Sequence, residues 1–429
     1  MISFDHRTGP VDAAPAAAYP TPWVPQWYSD AKLGFFLHWG LYSVPAYAVR
    51  TPDSTYTEHI YAEWYANTVR LPDSSARKWH DQRFGLGTTY EDLAGLWHAE
   101  DFNAEAILQA LSRAGGRYVI PTAKHHDGFC LWNTATTTFN AVKRGPRVDL
   151  MAELARAAAA HQLRFGAYFS GALDWHVSDL PPITSDDDLF KLRRNDAAFA
   201  NYAAAQAREL IDTFRPAVLW NDIDWPDAGK GTGPGSASDL LRHYRDVVPD
   251  GVTNDRWGVP YHGFLTREYQ DPEPSDEPWE ATRGLGRSFG HNQFETDADI
   301  LNEADLIWLL VDTIAKGGNL LLNIGLTGAG TIPVLQARRL EALGRWLDTN
   351  GPAVYGSRPW PAPLPDTRAR ATCTDGTTYL FVPSGETVRV PEQLAGKHFR
   401  WLGRSPGDAA TRDLASPGDL YPVAVAAFN

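Results

Sequence analysis

Cysteine is nearly absent from this sequence, and that alone removes two classes of architecture. Only Cys130 and Cys373 occur in 429 residues, far apart in the chain, which excludes a disulfide scaffold and a thiolate zinc site. Basic charge is also scarce: 39 Lys and Arg face 52 Asp and Glu, for a formal net charge of −13. No block of Lys and Arg offsets this, so the basic face that a phosphate backbone demands is missing and no nucleic-acid partner is expected. No apolar run is long enough to span a bilayer, so no membrane partner is expected either. The opening MISFDHRTGPVDAAPAAAYP has no basic segment leading into an apolar core, which makes the cytoplasm the expected compartment. The sequence holds no GxGxxG, no GxxxxGK[ST] and no HExxH. Neither a dinucleotide, a phosphate loop nor a helix-borne zinc pair is signalled, and no cofactor is expected.

What the chain does have is length, aromatic residues and alternation. A hydrophobic fraction of 43% is ordinary for a soluble globular protein, and the length favours one large domain with a small one. Sixteen Trp supply flat rings with a polar edge, which suit the faces of sugars as well as cores. After a Pro- and Ala-rich arm over residues 1–22, strand-like runs at 32–40, 117–121, 164–169, 217–222, 252–256, 278–282 and 319–325 alternate with helical patterns at 104–114, 149–162, 194–214, 237–247, 304–316 and 333–348. Gly115-Gly116 and Gly317-Gly318 stop two of the helices. Residues 41–100 are less regular. The alternation predicts a mainly parallel sheet. His38, His125-His126, Asp174, Asn221-Asp222 and Asp255-Arg256 all follow strand ends. A (β/α)8-like barrel gathers such ends into one rim, whereas a doubly wound sheet brings only a pair together. After about residue 355 the pattern changes to short strands at 377–382, 387–390, 399–402 and near Leu420, separated by Gly, Pro and Asp turns. The expected organisation is a barrel over residues 1–355 and a small antiparallel β-sandwich over 356–429, too short for much stability alone and so packed on the barrel.

Within this frame the apolar run Ala217-Val218-Leu219-Trp220 ends in Asn221-Asp222. A carboxylate there is placed for chemistry, and glycosidases use carboxylates in pairs. Asp222 is the candidate for attack, and Glu268 is a candidate partner, although each also has a structural reading as a helix cap or an Arg partner. Adjacent residues on a strand end point to opposite sides, so His125 and His126 are not expected to share a metal ion. Neutral imidazoles hydrogen-bonding substrate hydroxyls fit the pair better. Arg256 is read either as a substrate contact or as an ion-pair partner of Asp255 or Asp222. Ser170, Ser288 and Cys130 are weak candidates for a nucleophile.

Taken together and in order, eight segments resemble the α-L-fucosidases of glycoside hydrolase family 29. They are Phe35-Phe36-Leu37-His38-Trp39-Gly40, Glu63-Trp64-Tyr65, Lys124-His125-His126-Asp127-Gly128-Phe129, Leu219-Trp220-Asn221-Asp222, Asn254-Asp255-Arg256-Trp257-Gly258, Trp279-Glu280, Arg287-Ser288-Phe289-Gly290 and Lys316-Gly317-Gly318-Asn319-Leu320-Leu321-Leu322-Asn323. The resemblance spans about residues 23–360 and implies a barrel followed by a β-sandwich, working without a metal. It implies an exo-acting retaining α-L-fucosidase with Asp222 as nucleophile and Glu268 as acid/base, so that Asp222 rests ionised and Glu268 protonated. It places fucose contacts on His38, Glu63, Trp64, His125, His126, Tyr168, Trp220, Arg256 and Phe289. The implied partner is a fucosylated oligosaccharide or glycoconjugate. A glycosidase for a related sugar such as an α-L-galactoside, and an inactive carbohydrate-binding relative, are the alternatives. His291-Asn292-Gln293 departs from the Tyr-Asn-Arg often found after Ser-Phe-Gly in the family.

Overall fold

The computed structural model describes residues 13–50, 55–270, 273–404, 406–409, 413–418 and 421–428. Its main sheet consists, in chain order, of β1 (Leu33–His38), β2 (Tyr118–Lys124), β3 (Arg164–Phe165), β4 (Ala167–Ser170), β5 (Val218–Asp222), β6 (Val252–Thr253), β7 (Leu265–Glu268), β8 (Trp279–Gly284) and β9 (Asn319–Gly325). Strands β1, β2 and β9 are buried at every position. Such strands need apolar residues on both faces, which explains the continuous rather than alternating hydrophobic runs.

The strand order is β6-β5-β4-β2-β1-β9-β8-β7, with β3 also on β2. Every pairing in it is parallel. β3 and β4 form one strand interrupted at Gly166, where a Cβ would stand 2.9 Å from the Val218 carbonyl oxygen. Eight strands therefore line up, and the two ends of the sheet meet at an isolated parallel bridge between Asn254 and Phe264. Gly263 N donates to Thr253 O at 2.9 Å beside it. The sheet thus curls back on itself as a TIM-like barrel.

Helices Ala104–Arg113, Leu150–Ala160, Ala197–Phe214, Ala237–Val247, Glu303–Ala315 and Val334–Asn350 follow the strands. Side chains of Asn103, Asp149, Asp196, Ser236 and Asn302 cap five of them by accepting an N–H three residues on. Gly115 and Gly317, with φ of 93° and 90°, terminate two helices in the left-handed region that glycine tolerates. No helix separates β6, β7 and β8 among the described residues, so regular βα alternation fails there. Strand β7 has no counterpart among the strand-like runs of the sequence, because Leu265-Thr266-Arg267-Glu268 is short, polar and only half-buried. Helix Ser75–Phe84 lies within the stretch 41–100, whose sequence shows no regular pattern. The first twelve residues of the arm fall outside the described residues.

Beyond the last helix, β10 (Arg358–Pro359), β11 (Arg370–Thr374), β12 (Thr377–Pro383), β13 (Thr387–Arg389), β14 (His398–Trp401), β15 (Pro406–Ala409), β16 (Asp413–Ala415) and β17 (Val423–Phe428) follow. Leu420 itself falls outside the described residues, and the last apolar stretch forms the strand Val423–Phe428. Six strands order as β10-β11-β12-β17-β14-β15, and β13-β16 is a separate ribbon. Alternation along β12 divides its burial. Leu380 and Val382 pack with Val388, Leu414 and Ala426 between sheet and ribbon, while Tyr379 and Phe381 join the core shared with the barrel. Trp346 Nε1 donates to Val423 O at 2.9 Å across this contact. The small β unit is docked on the barrel, as its size demanded.

Candidate active site

The strand ends place Asp222 at the top of β5, where it is 7% exposed. Its Oδ2 accepts from Tyr168 Oη on neighbouring β4 at 2.8 Å. Its Oδ1 accepts from Arg256 Nη1 at 2.9 Å and from the Ile223 N–H at 3.0 Å. Burial by itself would raise this carboxyl. The Arg256 charge, with the hydrogen bonds from Arg256 and Tyr168, outweighs it and holds Asp222 below the ordinary carboxylate value. Arg256 does not stop there: Nη2 donates to Glu268 Oε2 at 2.6 Å. The ion pair read from the sequence as Asp255 or Asp222 is therefore a bridge between Asp222 and Glu268. Asp255 instead accepts the Thr266 N–H at 3.0 Å and so fixes β7, which carries Glu268.

His38 and His126 present acceptor nitrogens to the same cavity. Ser170 Oγ spends its proton on Leu173 O at 2.8 Å, so at 2.7 Å it accepts from His126 Nδ1–H. This leaves His126 Nε2 a bare lone pair, 3.8 Å from Asp222 Oδ2. Asn323 Nδ2 donates to Phe289 O, so its Oδ1 accepts from His38 Nδ1–H at 2.6 Å, and His38 Nε2 is likewise free. Burial drives these imidazoles to about 3 for His38 and about 4 for His126, and His125 well below its ordinary value. All three are neutral, and His125 Nδ1 is buried without a partner. Lone pairs of this kind accept from hydroxyls. Contrary to the strand-parity expectation, the His125 and His126 rings do not diverge. Strand β2 ends at Lys124, so alternation no longer governs them, and their centroids lie 4.1 Å apart along one wall.

Glu63 reaches the cavity from a single helical turn, Ala62–Trp64. Its Oε2 accepts from Gly290 N at 2.7 Å and Ser288 Oγ at 3.2 Å, while Ser288 Oγ accepts the Ala62 N–H at 2.7 Å. Burial raises Glu63 to about 7 in spite of these bonds. Gly286-Arg287-Ser288-Phe289-Gly290 spells the G-x-S-x-G of a nucleophile elbow, but its serine hydroxyl is engaged with Glu63 rather than with an imidazole, so it anchors the Glu63 segment. Trp64, Trp220 and Phe289 supply the apolar walls. Phe289 lies 5.1 Å from the His38 ring, and Trp64 meets His126 edge-on at 5.7 Å.

One cavity is thus lined by His38, Glu63, Trp64, His125, His126, Tyr168, Trp220, Asp222, Arg256, Glu268 and Phe289, so the structure brings all eleven candidates together. Phe36, Tyr61, Ile223 and Thr282 line it too, and none of them is among the contacts expected from the sequence. Phe36 and Thr282 share strand parity with His38 and Glu280, a signal usable only once the register is known.

A family model described as alpha-L-fucosidase matches residues 15–352 of this chain. The chain belongs to the α-L-fucosidase family. It is 31% identical over 371 residues to an alpha-L-fucosidase of Dictyostelium discoideum, an alignment covering 84% of this chain and 78% of the relative. It is 32% identical over 436 residues to the plasma alpha-L-fucosidase of Rattus norvegicus, covering 96% and 88%. The fold matches a solved Thermotoga maritima alpha-fucosidase in complex with fucose, with a TM-score of 0.86, 38% identity and coverage of 96% of this chain and all of that one. An alpha-L-fucosidase from Paenibacillus thiaminolyticus follows at a TM-score of 0.74 and 25% identity. These comparisons agree with the barrel-plus-sandwich architecture described above.

Proposed function

We propose that this family member is an exo-acting, retaining α-L-fucosidase whose nucleophile is Asp222 and whose acid/base is Glu268. The observation that carries the reading is the Arg256 bridge. Two carboxyl groups on strands from different parts of the chain share one guanidinium, and the cavity beside them offers lone pairs to hydroxyls and rings to an apolar sugar face. The reaction needs one carboxylate ready to attack and a second group able to give and then take a proton. Asp222, held ionised, attacks the anomeric carbon and forms a fucosyl ester, while Glu268, which takes up a proton on leaving its ion pair with Arg256, gives that proton to the departing oxygen. Glu268 then takes a proton from water, which cleaves the ester and frees the sugar with its configuration retained. His38, His125 and His126 accept from sugar hydroxyls, Glu63 binds a further hydroxyl, and Trp64, Trp220 and Phe289 cover the apolar face and methyl. The substrate class is a terminal α-L-fucosyl residue on an oligosaccharide or glycoconjugate.

The test is mass spectrometry of the intact chain after incubation with 2-deoxy-2-fluoro-α-L-fucosyl fluoride, followed by peptide mapping. A single adduct on the peptide carrying Asp222 is expected. No adduct, or one mapped to another carboxylate, overturns the assignment.

A further inference from the structure

Glu280 lies inside the barrel, fully buried, and has no task in the reaction above. It stands on β8 two residues before Thr282, so both face inward, with Glu280 one layer below the cavity that Thr282 lines. Its Oε2 accepts from Tyr28 Oη at 2.8 Å and Tyr118 Oη at 2.6 Å, and its Oε1 accepts from Trp220 Nε1 at 3.2 Å. These three donors are neutral. A carboxylate buried among them is an expensive way to fill space that a leucine would fill more cheaply, which calls for a reason. Burial also pushes its proton affinity up to about 7.

The reason lies in what stands on Trp220. The guanidinium carbon of Arg256 is 5.0 Å from the centre of the Trp220 ring. The Tyr168 ring stacks on the same indole, with centroids 5.5 Å apart and planes 21° apart. Arg256 and Tyr168 are two of the groups that donate to the Asp222 carboxylate. A rotation of the indole would therefore displace both donors at once.

We propose that Glu280 is a positioning residue, fixing the plane of Trp220 from beneath and through it the two donors that orient Asp222. The proposal rests on the fucosidase reading and adds to it a residue that touches neither substrate nor reacting atoms. In E280Q the amide oxygen still accepts the indole N–H, while the tyrosine hydroxyls can turn to accept from the amide nitrogen. In E280L the acceptor is gone at similar volume.

The experiment measures kcat and KM of the full chain, its E280Q, E280L and W220F variants and the W220F/E280L double variant on an aryl α-L-fucoside, with and without azide. E280Q is expected to keep kcat within about threefold, and E280L to lower kcat by roughly 30-fold or more with KM changed less than about threefold. In the W220F background E280L is expected to cost less than about threefold more, because the route through the indole N–H is already cut. Azide is expected to leave E280L unchanged. Full activity of E280L, an equal loss in both backgrounds, or restoration by azide with release of a fucosyl azide (the mark of an acid/base residue) each overturns the proposal. A W220F chain with unchanged kcat overturns it whether or not E280L folds. Turnover by the unmodified chain and its adduct on Asp222 report separately on the fucosidase reading.

Discussion

Asp222 and Glu268 are held by opposite nitrogens of one guanidinium, at 2.9 Å and 2.6 Å from Arg256. The bridge spans from the end of β5 to the end of β7, so it ties together two strands that no sequence-local contact could align. It also sets the charge state at one end, since Arg256 opposes the burial that would otherwise raise Asp222. Arg256 itself is stiffened against deprotonation by both acids, well above its ordinary value.

Replacing this guanidinium with an uncharged chain of similar length should cost more than a contact. R256M leaves two carboxyl groups in a buried site with no cation between them. Asp222 then moves upward, and the acid limb of the kcat/KM profile shifts to higher pH. A loss of roughly 10²–10³-fold at the optimum is expected, the range for removing one charge-stabilising donor from a closed site. The pH–rate profile on an aryl fucoside checks this, and an acid limb at the wild-type position would remove Arg256 from control of Asp222.

Glu63 makes a prediction about stability. Burial, reinforced by the nearby Glu268, raises it from its ordinary 4.5 to about 7. A raised folded value means the native state binds the proton more tightly than the unfolded chain. Its contribution is therefore complete below pH 4.5 and is lost progressively as pH rises through about 7. Glutamine does not titrate. The stability of the wild-type chain relative to E63Q should fall by at most about 3 kcal/mol between pH 4.5 and 8, as followed by urea unfolding at several pH values. A constant difference across that range would mean that Glu63 is charged throughout.

The sequence made the strand ends legible, and with them the site, because the apolar runs give way to polar side chains where the strands open onto the rim, and the chain marks this plainly at His38, His125-His126 and Asn221-Asp222. The eight ordered segments did the rest by resemblance. What stayed hidden has physical causes. Strand β7 is four residues long and has no apolar run to announce it. The convergence of the His125 and His126 rings depends on where β2 stops pairing, which parity alone does not reveal. The Arg256 bridge joins two strand ends whose relation exists only after the sheet closes. The same holds for Glu280, whose three donors come from residues 28, 118 and 220; in the sequence it is simply an acid after a tryptophan.

Ser170 offers a test of how the imidazole wall is set. Its hydroxyl fixes His126 with Nδ1 protonated and Nε2 bare. S170A removes that acceptor, so the ring is free to adopt the other tautomer or to rotate, and the lone pair facing the cavity is no longer assured. The expected result is a KM raised by about tenfold with a smaller change in kcat, because a hydroxyl contact made equally in ground and transition states affects binding rather than turnover. An effect confined to kcat would place His126 in the chemical step instead.

The loop after Asp222 is held against its backbone preference. Ile223 and Asp224 have φ of 54° and 71°, and a β-branched residue in that region is a true outlier. Asp224 Oδ2 is gripped by Arg193 Nη2 at 2.9 Å and Lys230 Nζ at 2.8 Å, all three side chains buried. Gly258, itself at φ 61°, leaves the room this needs, since a Cβ there would stand 1.6 Å from Asp224 Oδ1. G258A must therefore push Asp224 out of its ion cluster and release the strain. K230M, which leaves the backbone untouched, breaks the cluster from the other side. Both variants are expected to lose roughly 1–3 kcal/mol of stability, the worth of a buried charge-assisted bond, since Arg193 still meets Asp224 in K230M and Asp227 still meets Arg193 and Lys230 in G258A. Both should also slow formation of the fluorofucosyl adduct, because Ile223 N–H bonds the Asp222 carboxylate directly. Urea unfolding gives the first quantity and the inactivation rate the second. A G258A chain that unfolds like the wild type would show that Asp224 has another place to go, and that the strained loop does not depend on it.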